Sequence, residues 1–155
     1  MNLISRLIAT GLFVGYVPFA PGTAGSILGL FLYWAIPGTE SFGLLAAILL
    51  LFLLGVWSAK AVEQVTGVED NQIIVIDEIV GVLVTLMFFE KSFTWLVVGC
   101  ILFRFFDIVK LYPARRAEEL PGGWGVMLDD VVAGIYSLVS LRTIQWGVEH
   151  IFYES

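Results

Sequence analysis

Ile73-Ile74-Val75-Ile76-Asp77-Glu78-Ile79-Val80-Gly81-Val82-Leu83-Val84-Thr85-Leu86-Met87-Phe88-Phe89 is the stretch on which the fold turns. It shows no clean two-residue alternation, so it predicts a helix rather than a strand. As a helix it would measure roughly 25 Å at 1.5 Å per residue, close to the thickness of a bilayer's hydrocarbon core. Its charges are Asp77 and Glu78 alone. A carboxylate at the middle of a membrane helix costs about 2.5–3.5 kcal/mol, and less near the ends. Such acids must pair, protonate or hold a cation. The stretch therefore predicts a membrane helix with a functional pair of acids.

The surrounding chain supports that reading. Of its 155 residues, 59% are hydrophobic and 14% charged, against about half and about a quarter in a soluble domain. The mean hydropathy is +0.92. Five Trp and twelve Phe fit a protein with rings at a membrane interface. The length suits one domain. A net charge of −6 argues against nucleic acid as a partner, which would require a basic face. Cys100 is the single cysteine and lies in an apolar run, so no intramolecular disulfide forms and a buried filler role is expected.

Other apolar segments flank this one. Residues 1–13, marked by Asn2, Ser5 and Arg6, read as an amphipathic interfacial helix. No small-residue cleavage site precedes Tyr16-Val17-Pro18, so the segment is expected to stay in the mature protein. Residues 23–36 would give only about 21 Å of helix, short for a span, and either cross or re-enter. Residues 42–58 and 93–109 read as spans, and 127–146 as a last helix beginning near Asp129 and Asp130. Pro18 and Pro21 forbid a continuous helix over 15–22. Turns are expected at Pro37-Gly38, at Glu90-Lys91-Ser92 and at Pro121-Gly122-Gly123. The expected fold is all-α: a membrane helical bundle of four to five embedded helices plus the N-terminal amphipathic one.

If each segment from residue 23 onward crosses once, Arg6, Lys60, Arg104, Lys110, Arg115 and Arg116 share one face. Lys91 and Arg142 fall on the other. The cation-rich face is then cytoplasmic. That arrangement carries Asp77, Glu78, Asp107, Asp129 and Asp130 to one membrane level. Arg104, Lys110 and Arg115 are too few to neutralise them, and a hard divalent cation such as Mg²⁺ resolves the excess. Purely structural ion pairs are the competing explanation. Small residues follow three of the acids at i+4: Gly81 after Asp77, Ala133 after Asp129 and Gly134 after Asp130. Residues so spaced share a helical face, which allows close approach beside each carboxylate.

Phosphate binding has its own candidates. Pro21-Gly22-Thr23-Ala24-Gly25-Ser26 opens a helix whose free N–H groups suit an anion, although Thr23 would equally serve as a simple cap. Arg104 stands three residues before Asp107 and fits either clamping phosphate or pairing with that acid. One histidine, His150, on the far side, removes His-based chemistry. Cys100 lies mid-helix, unlike a phosphatase thiolate in an anion-binding loop. No Ser-His-Asp set, Walker-type loop or dinucleotide pattern is present. Metal and carboxylates remain, which favours hydrolysis by activated water.

Four blocks together resemble the phosphatidylglycerophosphatase A family of bacterial membrane phosphatases. They are Gly15 with residues 20–26, then Asp77-Glu78-Ile79-Val80-Gly81, then Phe103-Arg104-Phe105-Phe106-Asp107-Ile108-Val109-Lys110, then residues 122–134 around Asp129-Asp130. They occur in family order. One departure is Leu111-Tyr112-Pro113, where the family reads Pro directly after the Lys. The resemblance implies Mg²⁺-dependent conversion of phosphatidylglycerophosphate to phosphatidylglycerol and inorganic phosphate, at the cytoplasmic face of the bacterial inner membrane. It implies Glu78, Asp107, Asp129 and Asp130 as metal ligands or orienters of water, and Asp77 as ligand or base. Gly22, Thr23, Ser26, Arg104, Lys110 and Arg115 would receive the phosphate. A phospholipid phosphotransferase and a non-enzymatic ion- or lipid-binding protein are the alternatives, and self-association into a homo-oligomer stays open.

Overall fold

A computed structural model of the chain describes residues 2–37 and 42–153. The described residues are all-helical: α1 (Leu3–Ala9), a 3-10 turn at Val14–Tyr16, α2 (Pro21–Ala35), α3 (Phe42–Thr66), α4 (Ile76–Thr85), α5 (Phe93–Val109), α6 (Ala114–Ala117) and α7 (Gly123–Tyr153). Pro37 of the expected Pro37-Gly38 turn is described, whereas Gly38 lies outside the described residues.

The 73–89 stretch behaves differently from its expected span. Only Ile76–Thr85 is α-helical, about 15 Å long and half of what a bilayer requires. Every residue of α4 except Glu78 is buried, because α2, α3, α5 and α7 all pack around it. A helix that is apolar on every side must be shielded on every side, by lipid or by protein. Here protein does it. Core side chains Ile79, Val80, Val82 and Leu83 are at most 2% exposed.

Two helices are long and apolar enough to cross a membrane: α3, at 25 residues, and α7 over Gly123–Ile151. Leu45, Leu49, Leu50 and Leu53 lie exposed on α3, a surface compatible with lipid rather than water. With 15 and 17 residues, α2 and α5 are shorter. Pro21 occupies the first turn of α2, where its missing N–H costs nothing.

Close backbone approach sets the register of α4 on α7. A Cβ on Gly134 would stand 2.7 Å from the Gly81 carbonyl oxygen, and one on Gly81 would stand 3.0 Å from that of Asp130. The Thr85 hydroxyl donates to the Gly81 carbonyl at 2.9 Å. With these glycines in contact, the acids one turn earlier on each helix, Asp77 and Asp130, must be neighbours.

At the opposite end of α4, Lys91 Nζ donates to the carbonyls of Trp34 at 2.7 Å and Ile36 at 2.6 Å, closing the C-terminus of α2. Arg142 donates to the Phe88 carbonyl and lies 4.3 Å over the Phe89 ring. The bundle thus has an acid-rich end and a separate pair of cations at its other end.

Candidate active site

Each acidic pair is organised by the same local device. Asp77 Oδ1 accepts from the Glu78 N–H at 3.0 Å, and Asp129 Oδ1 accepts from the Asp130 N–H at 3.0 Å. The first acid of each pair bends back onto the backbone, leaving the second carboxylate free to project. Asp77 and Glu78 also occupy the first turn of α4, where the helix dipole favours negative charge.

One oxygen from each of Asp77, Glu78 and Asp130 lies within 4.8 Å of the others. Glu78 Oε2 and Asp130 Oδ2 are buried without a hydrogen-bond partner. Orphaned carboxylate oxygens in a protein interior are costly, and here two of them belong to one cluster. At separations within 4.8 Å, the three ligand atoms are close enough for a small inward side-chain shift to bring them onto one hard cation. The donor set is all oxygen, so the cluster suits a divalent ion of that type.

Asp107 sits in the last turn of α5, beside Arg104, whose Nη1 is 2.8 Å from Asp107 Oδ2 and 3.6 Å from Glu78 Oε1. Arg104 therefore ties α5 to α4. The first turn of α2 closes over this pair. A Cβ on Gly22 would collide with Glu78 Oε1 and stand 2.9 Å from Arg104 Nη1, so any side chain here would push the ends of this pair aside.

Lys110, the residue that ends α5 with φ at +46°, binds a second group of acids. Its Nζ is 2.8 Å from Glu118 Oε1, 2.9 Å from Asp129 Oδ2 and 4.0 Å from Asp70 Oδ2. Burial pulls the ammonium pKa down, but the hydrogen bonds to Glu118 and Asp129 outweigh it and hold the group above its usual range. Burial likewise raises the carboxyl pKa of Asp70, with Lys110 opposing. Both Asp129 oxygens are thereby engaged, one by Lys110 and one by the Asp130 amide.

A cleft of about 410 Å³ opens onto the cluster, lined by Pro18, Ala20, Pro21, Gly22, Asp70, Gln72, Ile74, Asp77, Glu78 and Arg104. Carboxylates, a guanidinium and a helix N-terminus meet in it, the components of a phosphate-handling site. A model of the family described as phosphatidylglycerophosphatase A matches residues 7–145. The chain belongs to that family.

Membership in the phosphatidylglycerophosphatase A family makes it a phosphatase. It is 40% identical to the phosphatidylglycerophosphatase A of Haemophilus influenzae, covering 91% of this chain and 88% of that protein. Against the Escherichia coli protein of the same name it is 33% identical, covering 85% and 78%. A Bacteroides thetaiotaomicron protein bearing the provisional name phosphatidylinositol-3-phosphatase is 41% identical, covering 95% and 97%. No solved structure matches.

Within this family member, the acids expected from the sequence do assemble, but not as one equivalent set. Asp77, Glu78 and Asp130 form one cluster, with Glu78 also 3.6 Å from Arg104; Asp107 is paired with Arg104 and Asp129 with Lys110. Of the expected phosphate-binding residues, Gly22 and Arg104 line the cleft. Thr23 is exposed inside the first turn and does not cap α2; the cap position is Ala20. Ser26 is buried, its hydroxyl donating to the Gly22 carbonyl at 2.9 Å. Arg115 is exposed on α6, away from the ion pairs that Arg104 and Lys110 make. Asp70, Gln72 and Glu118 are site residues that did not stand out in the sequence. Their signal was weak: Glu69-Asp70 directly precedes the acidic helix, and Glu118 follows Lys110 by eight residues.

Proposed function

We propose that the chain hydrolyses the terminal phosphate monoester of phosphatidylglycerophosphate, giving phosphatidylglycerol and inorganic phosphate. The observation that carries this reading is the cluster of Asp77, Glu78 and Asp130, with two orphaned oxygens, facing Arg104 and the first turn of α2. The names of the Haemophilus and Escherichia relatives support the choice of lipid.

Asp77, Glu78 and Asp130 would hold a divalent cation, Mg²⁺ in this reading, with Asp107 bordering Asp130. Such an ion supplies charge neutralisation and a lowered pKa for bound water. The chain's own residues do the rest. Arg104 and the unpaired N–H groups of Gly22 and Thr23 neutralise phosphate oxygens as charge builds. Asp77, lining the cleft, accepts the proton of the attacking water. The water oxygen bonds to phosphorus, the ester P–O bond breaks, and the released alkoxide takes the proton that Asp77 received from the water, becoming the lipid alcohol and leaving Asp77 ionised again. Asp129 is a positioning residue: Lys110 fixes it, and it fixes the Asp130 amide.

The cleft would open at the cytoplasmic face of the inner membrane. Supporting this, Lys60 lies against Gly122 at the acid-rich end, where Arg104 and Lys110 also sit. Lys91 and Arg142 bind backbone at the other end, an asymmetry in the sense of the positive-inside rule.

A second reading, hydrolysis of phosphatidylinositol 3-phosphate, draws on the name of the Bacteroides relative. Phosphate release by the purified protein, measured colorimetrically on both lipids with Mg²⁺ and again with chelator, separates them. Release from phosphatidylglycerophosphate that chelator abolishes is expected. Faster release from the inositol lipid would transfer the assignment to it, and release indifferent to chelator would remove the cation from the scheme.

A further inference from the structure

Two apolar stripes run from the phosphate cleft into an apolar groove. On α2, Thr23, Ile27, Phe31 and Trp34 follow one another at helical spacing of three or four residues, with Leu30 on the same face. On α5, Phe93, Val97, Cys100 and Arg104 do the same. Residues so spaced share a face. The two helices pack together, and they run antiparallel, since Gly22 at the start of α2 meets Arg104 near the end of α5. Away from that meeting point they part to form a groove of about 220 Å³ lined by Ile27, Leu30, Phe31 and Trp34 from α2 and by α5 residues including Phe93 and Val97. Every one of its lining residues is apolar. Phe31 is 70% exposed and Phe93 79%, so the groove is open along its length.

Position decides what fits. Ile27 is five residues beyond Gly22 and Val97 seven before Arg104, so the groove begins roughly 8–10 Å from the phosphate-binding residues. A lipid whose terminal phosphate is held at Gly22 and Arg104 has a polar spacer of about that reach before its acyl esters. We infer that the groove between α2 and α5 holds one acyl chain of the phosphorylated lipid substrate. This rests on the functional reading above. Lipid tails are as apolar as the groove, so the chain gains little from leaving the bilayer; what the groove supplies is orientation of the headgroup in the cleft.

The test uses the full-length protein and dioleoyl phosphatidylglycerophosphate in detergent micelles of fixed composition. Val97→Trp fills the groove, and Leu53→Trp places the same bulk on the exposed face of α3. The expected result is a roughly tenfold higher KM for Val97→Trp, the change that a steric penalty of about 1.4 kcal/mol produces, with kcat within about twofold and Leu53→Trp unchanged. If Val97→Trp does not fold, Phe31→Ala, at an exposed position, removes one wall and should raise KM in the same way. An unmoved KM in a folded groove variant, or an equal rise in Leu53→Trp, would mean the surface is contacted only by bulk lipid and would overturn the inference. A parent protein that releases no phosphate from any lipid would instead defeat the functional reading itself.

Discussion

Gly134→Ala adds one methyl group where α7 meets α4, one turn beyond Asp130, without touching any charged side chain, and should nevertheless disable the site. The new Cβ would lie 2.7 Å from the Gly81 carbonyl oxygen and 3.1 Å from Val84 Cβ. Neither neighbour is the free end of a flexible side chain, so the helices must part by roughly 0.7 Å to regain ordinary contact. Overpacking of that kind costs about 1–3 kcal/mol. The larger effect is geometric: Asp130 on α7 moves away from Asp77 and Glu78 on α4, and misplacement approaching 1 Å costs on the order of 100-fold in rate. The comparison is Gly147→Ala on the same helix, where a Cβ meets nothing within 4 Å and alanine favours the helix by about 1 kcal/mol. Phosphate release and thermal unfolding in detergent would be measured for both. A loss of 10- to 100-fold in kcat is expected for Gly134→Ala alone. Full activity in a folded Gly134→Ala protein would refute the reasoning that glycine contact sets the carboxylate geometry.

Asp130→Asn should reduce turnover at least 100-fold by removing a free cluster oxygen, while Asp129→Asn, a positioning change, should cost about 10- to 100-fold; circular dichroism should show both folded. Lys110→Met strands Asp129 and Glu118 without their shared cation, and should lower stability to denaturant by about 2–3 kcal/mol. Arg115→Ala, at an exposed position on α6, should leave kcat/KM within about twofold, whereas Arg104→Ala should lower it by 100-fold or more.

The convergence of acids was legible because membrane depth and helix order constrain it. Asp77 and Asp130 stand near the starts of their apolar segments and Asp107 near the end of the segment between them, so alternating direction puts them at one level, and the bundle does bring them together. The all-helical class was equally readable. What escaped was the nature of α4. Periodicity does not distinguish a helix shielded by lipid from one shielded by protein, since both are apolar all round. Only the packing of α2, α3, α5 and α7 around it reveals which applies, and its α-helical part is only ten residues long. The opening of α2 at Pro21 was legible, but a cap at Thr23 lies three residues late, because Ala20, with a left-handed backbone and no capping side chain, carries no recognisable signal. Asp70 and Glu118 lie outside the long helices, so their approach to Lys110 follows from tertiary path rather than spacing. Arg115 was counted because the expected topology puts it at the membrane level of the acids, but α6 carries it to the exposed surface.

Binding of Mn²⁺ as a spectroscopic stand-in for Mg²⁺, followed by electron paramagnetic resonance on the purified protein, tests the carboxylate cluster directly. The account predicts saturable Mn²⁺ binding that Mg²⁺ displaces, and that the combined Asp77→Asn and Asp130→Asn protein loses. A spectrum of free Mn²⁺ throughout the titration of the parent, or unaltered binding in the double variant, would contradict it.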